Sequence, residues 1–358
     1  QASKKYAHEL GIYALDEFDL GEKIKINAGL RYSRFIQSGP YTRYEFDPIT
    51  KLKKDSVVYQ NGENVKTYGG FEPRLNARIS ISENSSIKAS VARTFQYLHL
   101  VTNNGSTLPT DIWTPSSYFV RPQNAWQYSL GSFNNFFDNK LETSVEVYYK
   151  KMNNMVEYRE GYIPGGITDI DYDFVFGTGD AYGAEFYINK TKGKFTGWIS
   201  YTLAWTKRNF PQLNKGESYF AKYDQRHNLS VTSSYEINNK WSLSAVFIYG
   251  SGTRVTLPSE LYIIDGQLLQ NYDKLNNYRI PAYHRFDIAA TYTPKPKKER
   301  RWQGSWNFGV YNLYSRQNPY FLYLDLPGNV ATSGVEIKVK QVSVFPIIPS
   351  ITYNFKFK

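Results

Sequence analysis

The sequence predicts an all-β protein, a transmembrane antiparallel up-and-down β-barrel with about thirteen strands. Three observations support this prediction. Apolar and polar residues alternate with a period of two, short and long connections follow each other strictly, and the chain is rich in aromatic residues although it is hydrophilic overall. Together these features are typical of a barrel with one face toward lipid and the other toward a wet interior.

The alternation marks the strands in chain order. It is clear in six segments, residues 24–32, 75–81, 141–150, 229–237, 241–249 and 286–292. Successive side chains of a strand point to opposite faces, so each segment has one apolar and one polar face. Because a soluble sandwich or propeller also alternates, this pattern alone does not distinguish a membrane barrel from a soluble protein.

The lengths of the connections distinguish the two classes. Short turns are predicted at residues 19–21, 83–85, 138–139, 192–193 and 238–239, with a longer basic turn at 294–301. Between them lie long irregular stretches at residues 38–69, 95–123, 159–180, 210–224, 252–282 and 325–335. Outer-membrane barrels have short periplasmic turns and long extracellular loops, whereas a sandwich mixes connection lengths at both ends. We therefore expect every short turn on the periplasmic side.

Composition also favours a membrane barrel. Aromatic residues make up 17% of the chain, yet the mean hydropathy is −0.53. Aromatic residues recur beside the short turns, where a periplasmic girdle would lie: Phe18, Phe137, Phe195, Trp241, Tyr292 and Trp302. No segment approaches about 18 consecutive apolar residues, so strands rather than helices are expected to cross the membrane.

Charge and residue content argue against several other functions. The net charge is +11, but Lys and Arg are spread over the whole chain, so no nucleic-acid partner is expected. There is no cysteine, and His8, His99, His227 and His284 have no zinc-binding spacing. A G-x-S-x-G nucleophile motif is also absent from the sequence. We therefore expect no enzyme, no metal site and no cofactor.

Two long loops carry residues suited to ligand binding. The candidates are Tyr97, His99, Trp113, Tyr118 and Arg121 in the loop at 95–123, and Tyr262 and Tyr272 in the loop at 258–279. Aromatic rings stack on ligands and charged groups orient them. The same aromatic residues could instead pack the loops against each other, and the sequence leaves both interpretations open.

The chain is predicted to end in one alternating strand that runs from about Val335 to Phe357 and closes on phenylalanine. Ile351, Tyr353, Phe355 and Phe357 alternate with polar residues, and Lys358 follows. This ending resembles the signal that outer-membrane barrels present to the barrel-assembly machinery, which is therefore an expected partner. Lys358 departs from the usual ending on the aromatic residue itself.

Six phrases, in this order, resemble the C-terminal barrel of TonB-dependent receptors from the Bacteroidetes. They are residues 180–186 (DAYGAEF), 197–203 (GWISYTL), 224–229 (DQRHNL), 249–254 (YGSGTR), 279–287 (RIPAYHRFD) and 310–314 (VYNLY) with 318–319 (NP). The resemblance covers nearly the whole chain. It implies a 22-stranded barrel with a plugged lumen, of which residues 1–358 would form strands 10 to 22, without the plug. An odd strand number and two free sheet edges also lead us to expect further strands before Gln1.

The resemblance implies an outer-membrane importer of a peptide, glycan or metal chelate, in which this chain forms the barrel wall and extracellular loops. TonB would act through the plug region, and lipid and lipopolysaccharide would surround the barrel. Some family members also use a surface lipoprotein lid. Residues 109–117 (PTDIWTPSS) and the ending at 345–349 (FPIIP) resemble the lid-independent branch. The alternative is a passive or structural barrel, namely a porin, an adhesin or a scaffold subunit of a larger complex.

Overall fold

The described chain is almost entirely antiparallel sheet. The computed structural model describes residues 4–47, 50, 52–101, 112–160, 170–264, 267–294, 302–325 and 338–357. Thirteen strands pair in chain order to form one sheet. They are β1 (Tyr6–Leu20), β2 (Ile24–Ser38), β3 (Asn64–Ser82), β4 (Ser85–Gln96), β5 (Gln123–Phe136), β6 (Leu141–Tyr158), β7 (Phe174–Lys190), β8 (Phe195–Asn209), β9 (His227–Glu236), β10 (Trp241–Gly250), β11 (Tyr283–Tyr292), β12 (Trp302–Tyr311) and β13 (Ile348–Phe357).

This up-and-down order confirms the predicted fold and strand number. Short turns join β1 to β2, β3 to β4, β5 to β6, β7 to β8 and β9 to β10, at the predicted positions. The turn between β5 and β6 has left-handed φ angles of 54°, 55° and 60° at Phe137, Asp138 and Asn139. Asp and Asn accept this conformation readily, which explains their place in the turn. Residues 295–301 of the basic turn lie outside the described residues.

The cross-strand register gives the sheet two chemically distinct faces. One row pairs Leu75, Val91 and Tyr128 across β3, β4 and β5, on the apolar face. On the opposite face Lys25 lies 2.5 Å from Glu17 and Arg31 lies 3.6 Å from Glu72, measured between the charged atoms. A barrel turns its apolar face to lipid and its polar face to the lumen, so we call these the outward and the lumen face.

The outward face carries aromatic residues near both ends of the strands. Phe18, Phe195, Trp241 and Trp302 lie beside the short turns with partly exposed rings, and Trp241 stacks 4.9 Å from Tyr292. At the other end, roughly ten residues from each short turn, lies what we call the outer aromatic row: Tyr32, Tyr128, Tyr149, Tyr182, Trp205 and Tyr249. About ten tilted strand residues cross the apolar core of a bilayer. The two aromatic bands therefore mark its two interfaces.

The strands are staggered along the sheet. One row of paired residues begins at Ile24, next to the first short turn, and passes through Val145, Tyr201 and Tyr249 to reach His284 at the outer end of β11. Such a stagger accompanies strands that tilt against the barrel axis. The sheet is open in the described chain, and β1 and β13 are its two edges.

The hydrophobic core lies at the loop end and not within the wall. One cluster contains Val101, Val120, Val156, Tyr158 and Phe174, and a second contains Met155, Phe210, Leu213 and Tyr219. All of these residues belong to loops or to the outer ends of strands. Wall side chains are exposed to lipid or lumen, so apolar packing is left to the loops. No helix among the described residues is long and apolar enough to cross a membrane.

The long loops contain short hairpins of their own. The pairs are Tyr41–Phe46 with Lys53–Tyr59, Leu98–Val101 with Ile112–Pro115, Arg254–Val255 with Tyr278–Arg279, Glu260–Ile264 with Gln267–Asn271, and Pro319–Asp325 with Lys338–Ser343. The last hairpin corrects one expectation, since the sequence pattern predicts a single final strand from about residue 335 to Phe357. Phe345 has a left-handed φ of 59° and Pro346 lacks a backbone N–H, so the extended chain is interrupted before β13.

A change of charge on each face tests the assignment of lumen and lipid. We expect Val147→Arg, on the outward face midway along β6, to destabilise the folded protein by about 2–4 kcal/mol, as arginine does near a bilayer midplane. Ser144→Arg, on the lumen face of the same strand, is the control and should have little effect. The midpoint of urea unfolding in liposomes measures both, and equal effects would contradict the assignment.

Candidate functional site

Two of the seven predicted ligand-binding residues are buried in loop packing. The ring of Tyr97 stacks 5.1 Å from that of Phe35, and its hydroxyl lies 2.8 Å from the hydroxyl of Ser33. Only 1% of His99 is exposed, and its Nε2 lies 2.9 Å from the hydroxyl oxygen of Ser116. Burial of both side chains favours the packing interpretation that the sequence left open.

Burial also sets the protonation state of His99. Its Nδ1 has no hydrogen-bond partner among the described residues. Because burial disfavours the charged form, it lowers the pKa of His99 to about 4. The imidazole is therefore neutral at pH 7 and acts as a polar packing residue in the hairpin that ends at Pro115.

The segment after this hairpin is fixed to other loops. Ser117 donates a hydrogen bond of 2.5 Å to the carboxylate of Asp171, which also pairs with the Lys5 ammonium at 2.6 Å. The backbone N–H of Tyr118 donates to Oε1 of Gln37, on β2, over 2.8 Å. These contacts join residues far apart in sequence, and they hold the Tyr118 ring in a defined position at the loop surface.

Tyr118 lies at the centre of a group that we call the cation–aromatic surface, formed by Arg43, Lys66, Tyr68, Tyr118 and Arg121. The Arg43 guanidinium lies 4.4 Å from the centroid of the Tyr118 ring, and the Lys66 ammonium lies 5.4 Å from it. Lys66 is also 5.8 Å from the ring of Tyr68, with which exposed Arg121 interacts electrostatically. The structure thus brings together two predicted residues and three that the sequence did not indicate.

The other three predicted residues lie elsewhere on the loops. Trp113, which is 60% exposed, belongs to the hairpin of Leu98–Val101 and Ile112–Pro115. Tyr262 and Tyr272 are each 48% exposed and belong to the loop between β10 and β11. As ligand contacts these three residues remain predictions.

A buried carboxylate organises the base of the loop between β10 and β11. The Asp224 side chain is fully buried and accepts hydrogen bonds from Arg279 at 2.5 Å and Arg254 at 3.4 Å. It also accepts one from the backbone N–H of Thr206 on β8, over 3.0 Å. Asp224 therefore attaches both strands of the Arg254–Val255 and Tyr278–Arg279 pair to the barrel wall. In the sequence, Asp224 stands out only as the first residue of the phrase at 224–229.

The chemistry of these loops suits the binding of a ligand. Among the described residues, no group of three or more His, Cys, Asp or Glu side chains could hold a metal ion. Asp171 and Asp173 are paired with Lys5 and Arg159. On the lumen wall a shallow cleft of about 290 Å³ is lined by polar residues that include Glu17, Lys25, Arg78 and Lys88. Exposed cations and rings on loops above a polar lumen can hold an anionic or aromatic ligand.

The buried His99 generates a prediction about pH. Its pKa is lower in the folded protein than the ordinary 6.5, so the unfolded state binds a proton first as the pH falls. The contribution of His99 to the free energy of unfolding is complete above about pH 6.5. It decreases by at most about 3 kcal/mol between pH 6.5 and 4, and it is constant below pH 4.

Hydrogen exchange of the hairpin around His99, corrected for the intrinsic pH dependence, measures this effect in the intact protein. Protection should decrease from pH 6.5 to 4 in the wild type and change less in His99→Gln, which has no titrating group at this position. Identical pH profiles would show that His99 does not control the opening of the hairpin.

Removing the charge of Asp224 should release the loop between β10 and β11. Asp224→Asn leaves Arg254 and Arg279 without their buried carboxylate, and losing one partner of a buried ion pair costs about 3–5 kcal/mol. Limited proteolysis should therefore cut residues 252–282 faster in this variant. Asp273→Asn is the control, because that carboxylate is exposed and lies 3.7 Å from Lys215 in the same loop region. Equal cleavage of both variants would contradict this role.

The comparisons with known proteins identify the family. The model of the β-barrel of TonB-dependent receptor-like proteins matches residues 2–313. No curated protein sequence matches the chain. Its fold is similar to solved structures of the ferric-catecholate import receptor Fiu from Escherichia coli K12, with 14% identity and a TM-score of 0.59, and of the iron transporter FrpB from Neisseria meningitidis, with 12% identity and a TM-score of 0.59. The siderophore receptor PiuA from Acinetobacter baumannii has 12% identity and a TM-score of 0.59.

The three structures cover nearly all of this chain but are much longer. The alignments include 98%, 99% and 98% of this chain, and 44%, 47% and 43% of Fiu, FrpB and PiuA. The chain therefore spans less than half the length of each structure. On the strength of the family match and the thirteen-stranded sheet, the chain belongs to the TonB-dependent receptor family and forms part of its outer-membrane β-barrel.

Proposed function

We propose that this chain forms the barrel wall and outer vestibule of an importer whose substrate is an anionic metal chelate, held at the cation–aromatic surface. The observation that supports the proposal is the placement of Arg43 and Lys66 against the rings of Tyr118 and Tyr68. Exposed Arg121 adds a third positive charge that acts electrostatically on Tyr68. Among the described residues, one carboxylate lies within ion-pair distance of these cations, namely Glu45 at 2.7 Å from Arg43. Three cations against one carboxylate leave an excess of positive charge on an extracellular surface.

The chemistry of this surface favours one of the three substrate classes expected from the sequence. A guanidinium binds carboxylate or phenolate oxygens in pairs, and a ring face stacks on a planar aromatic ligand. Catecholate and carboxylate chelates of iron are anionic and present such oxygens. The names of Fiu, FrpB and PiuA, which refer to iron or siderophores, agree with this class. A neutral glycan would not need the excess positive charge.

Substitutions on this surface test the proposal. In the intact receptor, Arg43→Ala combined with Tyr118→Ala should weaken chelate binding at least about tenfold, since a charged contact and a ring contact are lost. Lys53→Ala is the control, because Lys53 lies 4.2 Å from the ring of Tyr44 and not against Tyr118. Quenching of intrinsic fluorescence by ferric catecholate and ferric citrate measures the affinity. Wild-type affinity of the double variant for both chelates would overturn the proposed binding surface.

We also propose that import requires TonB, as it does for the family, with this chain as the static wall. Residues 1–358 would be a partial barrel without a plug, and both edges of the open sheet would need partner strands in a bilayer. Uptake of radioactive iron chelate by cells that make the intact receptor should stop when TonB is deleted. Uptake that persists without TonB would favour the passive barrel instead.

The exposed final strand supports a proposal about assembly. Ile351, Tyr353, Phe355 and Phe357 share the outward face of β13, opposite Phe308, Trp306, Gly304 and Trp302. All four side chains are exposed on the edge strand of the sheet, which is the arrangement that the barrel-assembly machinery would recognise.

The phrases at 109–117 and 345–349 also lead us to propose the lid-independent branch of the Bacteroidetes receptors; residues 109–111 lie outside the described residues. We expect no enzymatic activity.

A further inference from the structure

The loop between β6 and β7 contains a short 3-10 helix, Ile170–Asp173, that is fixed to its surroundings. The Arg159 guanidinium, just beyond β6, pairs with the carboxylate of Asp173 over 2.7 Å, and its backbone N–H donates to the Asp173 carbonyl over 2.8 Å. Asp171 is buried and accepts the 2.5 Å hydrogen bond from Ser117. The helix therefore has a defined position beside the loop between β4 and β5.

Within this helix, Tyr172 makes two hydrogen bonds to the backbone of another loop. Its hydroxyl donates to the carbonyl of Tyr44 over 2.6 Å and accepts the backbone N–H of the same residue over 2.9 Å. Tyr44 belongs to the hairpin of Tyr41–Phe46 and Lys53–Tyr59, in the loop between β2 and β3. A tyrosine hydroxyl can donate and accept at once, so the Tyr172 side chain satisfies both backbone groups as a neighbouring strand would.

The ring of the same tyrosine contacts two phenylalanines from different loops. Its centroid is 4.9 Å from that of Phe46, in edge-to-face geometry, and 4.5 Å from that of Phe119. Ring pairs at these separations stabilise the contact beyond the burial of apolar surface. Phe46 lies in the hairpin with Tyr44, whereas Phe119 lies in the loop between β4 and β5. Tyr172 therefore connects three loops.

These contacts bear on the cation–aromatic surface, because each reaches the chain neighbour of a surface residue. Tyr44 follows Arg43, and Phe119 follows Tyr118, whose ring centroid lies 5.1 Å from that of Phe119. Arg43 and Tyr118 come from different loops, and the guanidinium carbon is 4.4 Å from the ring centroid. Holding the two chain neighbours in place therefore fixes the distance between guanidinium and ring.

We propose that Tyr172 is a positioning residue, which holds Arg43 and Tyr118 at the spacing that an anionic metal chelate requires. This inference rests on the proposed function, and it adds a loop that supplies no residue of the cation–aromatic surface. A binding surface that is ordered before the ligand arrives loses less conformational entropy on binding, so it binds more tightly. The loop between β6 and β7 thus influences the affinity of the surface through Tyr172.

Tyr172→Phe separates the role of the hydroxyl from that of the ring. The variant keeps both ring contacts, so it should fold, but it loses both hydrogen bonds to Tyr44. Tyr59→Phe is the matched control, because that hydroxyl lies in the same hairpin and has no hydrogen-bond partner among the described residues. Fluorescence quenching by ferric catecholate and ferric citrate measures affinity in the intact receptor. We expect binding at least about threefold weaker in Tyr172→Phe and unchanged in Tyr59→Phe.

A distance measurement without ligand shows whether the hydroxyl fixes the loops. Spin labels at Val58→Cys and Leu98→Cys, both exposed positions, report the separation of the two hairpins by pulsed electron paramagnetic resonance. The intact receptor must be free of other cysteines. The distance distribution should be broader in Tyr172→Phe than in the wild type and in Tyr59→Phe. An unchanged distribution in Tyr172→Phe overturns the proposal.

Combination with Arg43→Ala tests whether the effect on affinity passes through the cation–aromatic surface. Without Arg43 there is no guanidinium to position, so the double variant with Tyr172→Phe should bind about as weakly as Arg43→Ala alone. Losses that multiply overturn the proposal, and so does wild-type affinity of Tyr172→Phe when Arg43→Ala weakens binding. Wild-type affinity of Arg43→Ala itself would instead reject the proposed function, so the two failures are distinguishable.

Discussion

The fold depends on one constraint, which is that no backbone N–H or C=O group can remain unpaired in the hydrocarbon region of a bilayer. Each strand therefore pairs along its length with its neighbour, and the thirteen strands form one continuous sheet. Pairing in register then requires that side chains on neighbouring strands share a face. Because one shared face meets lipid and the other meets the polar lumen, the outward residues are apolar and the lumen residues, such as Lys25 and Glu72, are charged.

The same constraint explains why the buried core lies at the loop end. In the wall, lipid covers one face and the polar lumen the other, so no layer of apolar side chains is enclosed. Outside the membrane the loops gain stability by removing apolar side chains from water, and they pack together around Phe210 and Val120. Asp171 and Asp224 extend this packing with buried ion pairs that bind loops to distant strands.

The wall was largely predictable from the sequence because it is encoded locally. Alternation with a period of two and turns of a few residues are visible within any window of ten residues, and the predicted strands and turns agree with the structure. The faces of β2 and β6 were correct residue by residue. Strand ends were less predictable, because β3 and β7 extend into stretches that look like loops, beginning at Asn64 and Phe174.

The loops could not be predicted in the same way, because their contacts join residues far apart in the chain. Ser33 and Tyr97 are 64 positions apart, and Lys5 and Asp171 are 166 positions apart. A local pattern that makes Tyr97 look suitable for a ligand contains no information about Ser33. Arg43 belongs to none of the sequence motifs described above, and it lies against Tyr118 only because the loops fold together.

The staggered row that begins at Ile24 and ends at His284 has a mechanical consequence. In a closed barrel, the number of strands and their stagger together fix the circumference. The lumen could widen only if neighbouring strands slid past one another, which would break many backbone hydrogen bonds together and turn side chains to the wrong face. In a closed barrel the wall is therefore stiff, and its bore is set by hydrogen-bond geometry.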